Sequence, residues 1–300
     1  MTPRQGYPAD RLRARMSSGP AVAVAGAHDA VAARLAEAAG FEAVHLSGAL
    51  VNATAFGLPD LGFTGCSDML DALRRVAAGT GLPIVADADT GYGDPVQVAE
   101  TVRRYERAGA AALHLEDQVQ PKRCGHLAGV RLADVDTAVA RLRAAVAARE
   151  RLVVIARTDA LPAEGPDEML RRTEAFAATG ADAIMVEGAA DADTVRRVRE
   201  AAGGLPVVVN CSAAGPPAGP LPELARAGAR LVLFPVAAAL AGAGAMRAAY
   251  AHILATGTAP EPSLTWAELN ELLGLPELAA QEARWASADP AVPAPRQADE

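Results

Sequence analysis

The sequence predicts an α/β chain closed into a (β/α)8 TIM barrel with extra C-terminal helices. Three observations carry this reading: eight apolar runs of strand length, helix-patterned segments between them, and polar residues gathered at the carboxyl ends of the runs. The runs are AVAVAGA (21–27), AVHLSG (43–48), PIVADAD (83–89), AALHLED (111–117), LVVIARTD (152–159), AIMVEG (183–188), PVVVNCS (206–212) and LVLFPV (231–236). Continuous apolar strands alternating with helices mark a parallel sheet covered on both faces. Eight units suit a closed barrel better than an open doubly wound sheet, and no GxGxxG turn follows the first run.

Taken in order, residues 1–20 form a short N-terminal extension with no apolar leader, and no later stretch is apolar over the ~18 residues that a membrane span needs. The second strand ends in Ser47 and Gly48, where a hydroxyl and backbone N–H groups can hold a carboxylate oxygen or simply make a turn. The third ends in DADTGYGD, with Asp87 and Asp89 two residues apart, and Glu116 closes the fourth. Three hard oxygen donors on adjacent strand ends suit Mg²⁺ or Mn²⁺, whereas Zn²⁺ favours nitrogen and sulfur. Intervening segments such as PVQVAETVRRYERAGA and VDTAVARLRAAVAARE have helical spacing, and several end in a glycine fit for a left-handed cap.

After the fourth strand comes QVQPKRCGH. Its Lys122 is the single lysine of the chain, and Cys124 stands between Lys122, Arg123 and His126, with Gly125 leaving the sulfur approachable. Cations beside a thiol favour its thiolate, so Cys124 could act as nucleophile or pass a proton to a developing carbanion. His114, inside the fourth strand, reads as a core histidine, and Cys66 and Cys211 as structural thiols. Arg157 at the end of the fifth strand can pair a substrate carboxylate or form an internal ion pair with Glu187 or Asp159.

The catalytic barrel is expected over 1–256, a helical segment opening at a Ser263 cap over 257–285, and a Pro-rich flexible tail over 286–300. Net charge is −8 with both signs interspersed, so no basic stripe points to nucleic acid and no polybasic run to a membrane surface. Three cysteines far apart argue against disulfides or a structural zinc site. A small soluble ligand and a cytoplasmic location are the expectations.

The segments SG (47–48), GLPDLGF (57–63), DADTGYGD (87–94), LEDQVQPKRCGH (115–126), ARTDA (156–160) and VEG (186–188), with Asn210, together resemble the isocitrate lyase and phosphoenolpyruvate mutase superfamily, from about residue 20 to 256. KRCGH after LEDQ resembles its lyase branch, which includes methylisocitrate lyases, beside dimethylmalate lyases, oxaloacetate hydrolases and the carboxyphosphonoenolpyruvate mutase. The resemblance implies Mg²⁺ held by Asp87, Asp89 and Glu116 with Asp60 in support. It implies substrate contacts from Ser47, Gly48, Ala49, Gly125, His126, Arg157, Asn210 and Ser212, and chemistry by Cys124, His126, Lys122, Arg157 and Glu187. The implied reaction is retro-aldol cleavage of a 2-hydroxy or 2-oxo di- or tricarboxylate through an enolate that Cys124 protonates. It further implies a homotetramer or dimer with exchanged C-terminal helices. A phosphonomutase outcome and a non-catalytic carboxylate-binding barrel are the alternatives.

Departures bear on the substrate. Leu240 aligns where methylisocitrate lyases carry an arginine, Ser212 and Ala213 replace a Thr-Glu pair, and His45 stands where those lyases often have tyrosine. The stretch AAGPPAG (213–219) replaces a more polar loop. Losing a counter-charge for one carboxylate favours a smaller or less charged acid.

Overall fold

The computed structural model describes residues 6–213 and 218–286. Eight parallel strands close into a barrel in sequence order: β1 (Val22–Gly26), β2 (Val44–Leu46), β3 (Ile84–Asp87), β4 (Ala112–Leu115), β5 (Val153–Thr158), β6 (Ala183–Val186), β7 (Val207–Asn210) and β8 (Ala229–Phe234). Seven lie inside their predicted runs, and β8 starts two residues before the run 231–236. The barrel closes through β1 and β8, with Val22 opposite Leu231 and Ala25 opposite Phe234. Strands β2 to β6 are buried at every position, as a sheet sandwiched between an inner and an outer layer requires.

Helices follow the strands: α1 (Pro8–Ser17) precedes β1; then come α2 (Ala30–Ala38), α3 (Gly48–Val51), α4 (Cys66–Gly79), α5 (Pro95–Arg107), α6 (Val135–Ala148), α7 (Ala160–Glu164), α8 (Pro166–Ala177), α9 (Ala192–Ala201), α10 (Leu221–Ala227) and α11 (Ala237–Thr256). The short α3 runs on into a π-helical turn, Asn52–Phe56. Aspartates open several helices: Asp29, Asp134 and Asp191 accept backbone N–H groups of the first turns of α2, α6 and α9, each worth ~1 kcal/mol. Gly109 (φ 101°) and Gly180 (φ 87°) follow α5 and α8 in the left-handed region, as the terminal glycines predicted.

Two apolar layers make the core. Val24, Val85, Ile155, Met185, Val208, Leu231 and Leu233 fill the barrel, and Ala9, Leu12 and Met16 of α1 belong to the same cluster. The N-terminal extension is therefore a helix packed onto the barrel interior, a feature the arginine-rich segment did not announce. The outer layer joins strands to helices through residues such as Leu46, Met69, Leu73, Val98, Tyr105, Leu142 and Phe176.

The chain divides into two compact units, Met1–Arg247 and Ala248–Glu300, so the division falls within α11 and not after residue 256. In the second unit α12 (Trp266–Leu272) and α13 (Leu275–Ala286) follow α11. The cap of α12 is Thr265, not Ser263: the Thr265 hydroxyl accepts from Glu268 N and the Glu268 carboxylate accepts from Thr265 N, a reciprocal box that satisfies two first-turn donors. The two helices are separated at Gly274 (φ 83°). Most of the predicted tail, 287–300, and residues 214–217 of the glycine-rich stretch lie outside the described residues. Among the described residues no helix is long and apolar enough to cross a membrane.

Candidate active site

Polar side chains at the carboxyl ends of the strands surround a cavity of about 350 Å³. Ser47, Ala49, Asp60, Asp87, Cys124, Gly125, His126, Arg157, Glu187, Asn210 and Ser212 all line it, so most of the predicted site is brought together. Leu240 and Ala213 line it too, so the sequence departures border the same cavity. His45 and His114 complete the wall.

The loop after β4 supplies the thiol. Its backbone is fastened by Cys124 N donating to Asp60 O (3.1 Å). Cys124 Sγ lies 3.7 Å from His126 Nδ1, while His126 Nε2 stands 3.1 Å from Glu187 Oε1. Hydrogen bonds with Cys124 and Glu187 raise the His126 pKa to about 10 against the opposing pull of burial, so the ring is an imidazolium at neutral pH. Burial would raise the Glu187 carboxyl, but His126, Arg157 and Asn210 bring it to about 2. The row Glu187–His126–Cys124 thus sets a fixed cation against the sulfur.

The sequence placed the wrong cations beside that sulfur. Lys122 is buried, and its Nζ lies 2.8 Å from both Asp60 Oδ1 and Asp89 Oδ1. Burial opposes the ammonium charge, but Asp89, Glu116 and Asp87 hold its pKa above the usual range. Arg123 points its Nη1 at the Ala128 carbonyl, 2.9 Å away. Lys122 is a tie between acidic loops, because a buried ammonium takes the nearest carboxylates.

Arg157 realises its internal pairing. Its Nε and Nη2 donate to the two oxygens of Asp159 (2.8 and 3.0 Å), Nη1 lies 3.1 Å from Glu116 Oε2 and Nη2 lies 3.3 Å from Glu187 Oε2. Its fork is fixed in orientation by carboxylates while still facing the cavity. Gly48 is likewise committed: its N–H donates to Asp87 Oδ2 (3.1 Å) and it does not line the cavity.

The expected metal ligands are near one another but not converged. Among the described residues, no three His, Cys, Asp or Glu side chains form a group able to hold a metal ion. Lys122 holds Asp60 and Asp89, and Arg157 holds Glu116, so cations stand where a shared ion would neutralise these charges. The donor chemistry still fits a hard divalent cation. Among the described residues, the six carboxylates Asp60, Asp87, Asp89, Glu116, Asp159 and Glu187 are met by the cations Lys122, Arg157 and His126, with the His114 ring 3.6 Å from Asp87. Glu116 Oε1 is buried without a hydrogen-bond partner, and Asp89 Oδ1 meets Lys122 by charge without a well-directed hydrogen bond. Burial pushes Asp89 up to about 6 and Glu116 well above the carboxylate range. Asp87 is held below that range, the fields of His114, Lys122 and Arg157 outweighing burial.

Two features escaped the sequence reading. His114 is not an inert core histidine: its Nε2 lies 3.0 Å from His45 Nε2, and its Nδ1 lies 3.6 Å from Asp87 Oδ1. Burial, then the neighbouring ring, lowers His45 to about 3, so it is neutral. Behind Arg157, Asp117 accepts from Thr158 Oγ1 (2.6 Å), Asp159 N (3.0 Å) and Arg172 Nη1 (3.2 Å). The Asp immediately after Glu116 was the available signal, but its partners lie 41 and 55 residues away.

Comparison with known proteins places the chain in a family. Residues 12–254 match the family described as phosphoenolpyruvate phosphomutase. The chain is 32% identical to the 2,3-dimethylmalate lyase of Eubacterium barkeri over 93% of this chain and 98% of that one. It is 38% identical to the 2-methylisocitrate lyase of Shewanella oneidensis over 75% and 78% of the two chains. Among solved structures, oxaloacetate acetylhydrolase with 3,3-difluorooxalacetate superposes with a TM-score of 0.88 at 33% identity, covering 94% of this chain and 98% of that one. Phosphonopyruvate hydrolase with oxalate and Mg²⁺ superposes with a TM-score of 0.83 at 31% identity, covering 94% and 100%.

Proposed function

Since the chain belongs to the phosphoenolpyruvate mutase/isocitrate lyase superfamily, we propose that it is a carbon–carbon lyase of a 2-hydroxy or 2-oxo dicarboxylate. The observation that carries this reading is the row Glu187–His126–Cys124 opening onto a cavity that Arg157 and Asp87 also line.

Arg157 would hold a substrate carboxylate at the charged end of the cavity, with Ser47 and Asn210 as further polar contacts. In a 2-hydroxy acid the bond between the carbinol carbon and its neighbour breaks, the hydroxyl proton leaves to a base, and the electron pair stays on the departing acid as an enolate; a 2-oxo acid would enter the same step after water adds to its carbonyl. Cys124 delivers its thiol proton to that carbon, and the thiolate left behind lies against the His126 imidazolium. Asp87, Asp89 and Glu116, with Asp60 in support, would hold Mg²⁺ or Mn²⁺, whose charge stabilises an enolate when bound. The phosphonopyruvate hydrolase structure with Mg²⁺ supports that assignment.

Part of the cavity lining is apolar: Leu50, Met185, Pro235, Val236 and Leu240. Among the described lining residues Arg157 and His126 are the cationic ones, and residues 213–219 bring no charged side chain. A third carboxylate would lose water there without gaining a counter-charge, whereas a methyl branch would be accommodated. Alkylated malates are therefore favoured over tricarboxylates. Incubation with Mg²⁺ and a panel of 2,3-dimethylmalate, 2-methylisocitrate, isocitrate and oxaloacetate tests both points. Keto acid from the alkylated malate is expected, and silence across the panel would remove the lyase reading.

The same reading includes a homo-oligomer with exchanged C-terminal helices. Helix α11 is rich in alanine yet buries no residue, Leu254 is 91% exposed, and Trp266 and Trp285 are exposed. Such apolar surface is characteristic of an interface. Light scattering should give a mass above one chain, and a monomer would end that part.

A further inference from the structure

Gln118 is buried at the base of the thiol-bearing loop, and its amide makes three hydrogen bonds, two donated and one accepted. Its Nε2 donates to Asp159 Oδ2 (2.7 Å) and to the Arg123 carbonyl (2.8 Å), and its Oε1 accepts from Arg123 N (3.1 Å). A primary amide that pairs with both polar groups of one residue fixes that residue's backbone in translation and in rotation. Arg123 is the immediate neighbour of Cys124. Asp159, on the other side of the same amide, is the carboxylate that fixes the Arg157 fork at 2.8 and 3.0 Å. One side chain therefore joins the backbone that carries the thiol to the ion pair that orients the guanidinium.

We propose that Gln118 is a positioning residue that sets the distance between the Cys124 sulfur and a carboxylate held at Arg157. The inference rests on the proton-donor reading of Cys124. It does not act through charge, since the amide is neutral, nor through the substrate, since Gln118 does not line the cavity. Two further contacts narrow the alternatives. The loop has a second fastening, Cys124 N to Asp60 O at 3.1 Å, so losing Gln118 should displace the loop without releasing it. Gly125 packs so closely on Asp159 and Arg157 that a methyl there would lie 2.8 Å from Asp159 Oδ2 and 3.1 Å from Arg157 Nη2, which shows how closely the loop follows the ion pair.

Gln118→Leu removes all three hydrogen bonds at similar volume, and Gln118→Glu keeps the shape and the acceptor but turns a carboxylate toward Asp159. The full-length protein with Mg²⁺ is assayed for kcat and KM on the acid it cleaves. Carbamidomethylation of Cys124 by iodoacetamide is followed by peptide mass spectrometry, with Cys66 and Cys211 as internal references. In both variants kcat should fall about 100-fold, the loss that a ~1 Å misplacement brings, while KM stays near the wild-type value. Cys124 should be labelled faster, with Cys66 and Cys211 unchanged. Wild-type kcat with unchanged Cys124 labelling in either folded variant overturns the proposal, as does a parallel rise at all three thiols, which would signify general loosening. If Cys124→Ser keeps wild-type turnover, the proton-donor reading fails by itself, and the labelling comparison still decides whether Gln118 holds the loop.

Discussion

Replacing Gly125 by alanine tests whether the thiol loop must sit where the structure puts it. A Cβ built there lies 2.8 Å from Asp159 Oδ2, 2.8 Å from Glu187 Cγ and 3.1 Å from Arg157 Nη2, whereas comfortable methyl contacts need about 3.5–4.0 Å. The neighbours cannot withdraw: Asp159 is held by Arg157, Gln118 and Asp117, and Glu187 by His126, Arg157 and Asn210. The loop must retreat by roughly 0.7–1 Å to restore contact distance. A misplacement of that size costs on the order of 100-fold in rate, or ~2.7 kcal/mol in the barrier. Overpacking should lower stability by about 1–3 kcal/mol as well. The assay is steady-state release of keto acid coupled to lactate dehydrogenase, with thermal unfolding alongside. The expected result is kcat down about 100-fold in a folded protein with KM little changed. A folded Gly125→Ala enzyme with wild-type kcat would refute the reasoning.

Cys124→Ser should abolish turnover while calorimetry still shows Mg²⁺ binding; a wild-type rate ends the proton-donor role. His126 provides a pH test. Its pKa rises from an ordinary 6.5 to about 10, so the folded state binds that proton more tightly than the unfolded chain does. Its stabilisation is complete below pH 6.5 and fades as pH climbs through about 10. The wild-type Tm should therefore fall from pH 7 to 10 more steeply than that of His126→Gln, and parallel curves would contradict the pairing with Glu187. Leu240→Arg, placing a guanidinium on the apolar wall, should raise kcat/KM for 2-methylisocitrate relative to 2,3-dimethylmalate about tenfold or more. No change in that ratio would show that the wall does not select substrate.

The barrel was legible because parallel strands buried on both faces must be continuous apolar runs; seven runs contain their strands and the eighth overlaps β8, whose first residues Ala229 and Arg230 precede it. The site was legible where a polar residue ended such a run, as with Asp87, Arg157, Glu187 and Asn210. What stayed hidden were partnerships. The register places Asp87 beside His114, and the neighbouring β2–β3 pair brings His45 next to Val85, so the two histidines meet only once the strands are aligned. Lys122 reaches an aspartate 62 residues earlier, and Gln118 one 41 residues later. No local pattern encodes either, so a cluster of cations in the sequence was read as serving the thiol when one of them serves two carboxylates. Helix α1 was missed because its buried Ala9, Leu12 and Met16 are dispersed among arginines.

The most direct test of the central claim is cleavage of 2,3-dimethylmalate in D2O with Mg²⁺, the propionate being esterified with a chiral alcohol so that proton NMR resolves the two configurations of its CHD group. If a single thiol protonates the departing enolate, the products are pyruvate and propionate carrying one deuterium at the methylene in one configuration. Propionate deuterated equally on both faces would contradict delivery from Cys124, and absence of both products would contradict the substrate assignment.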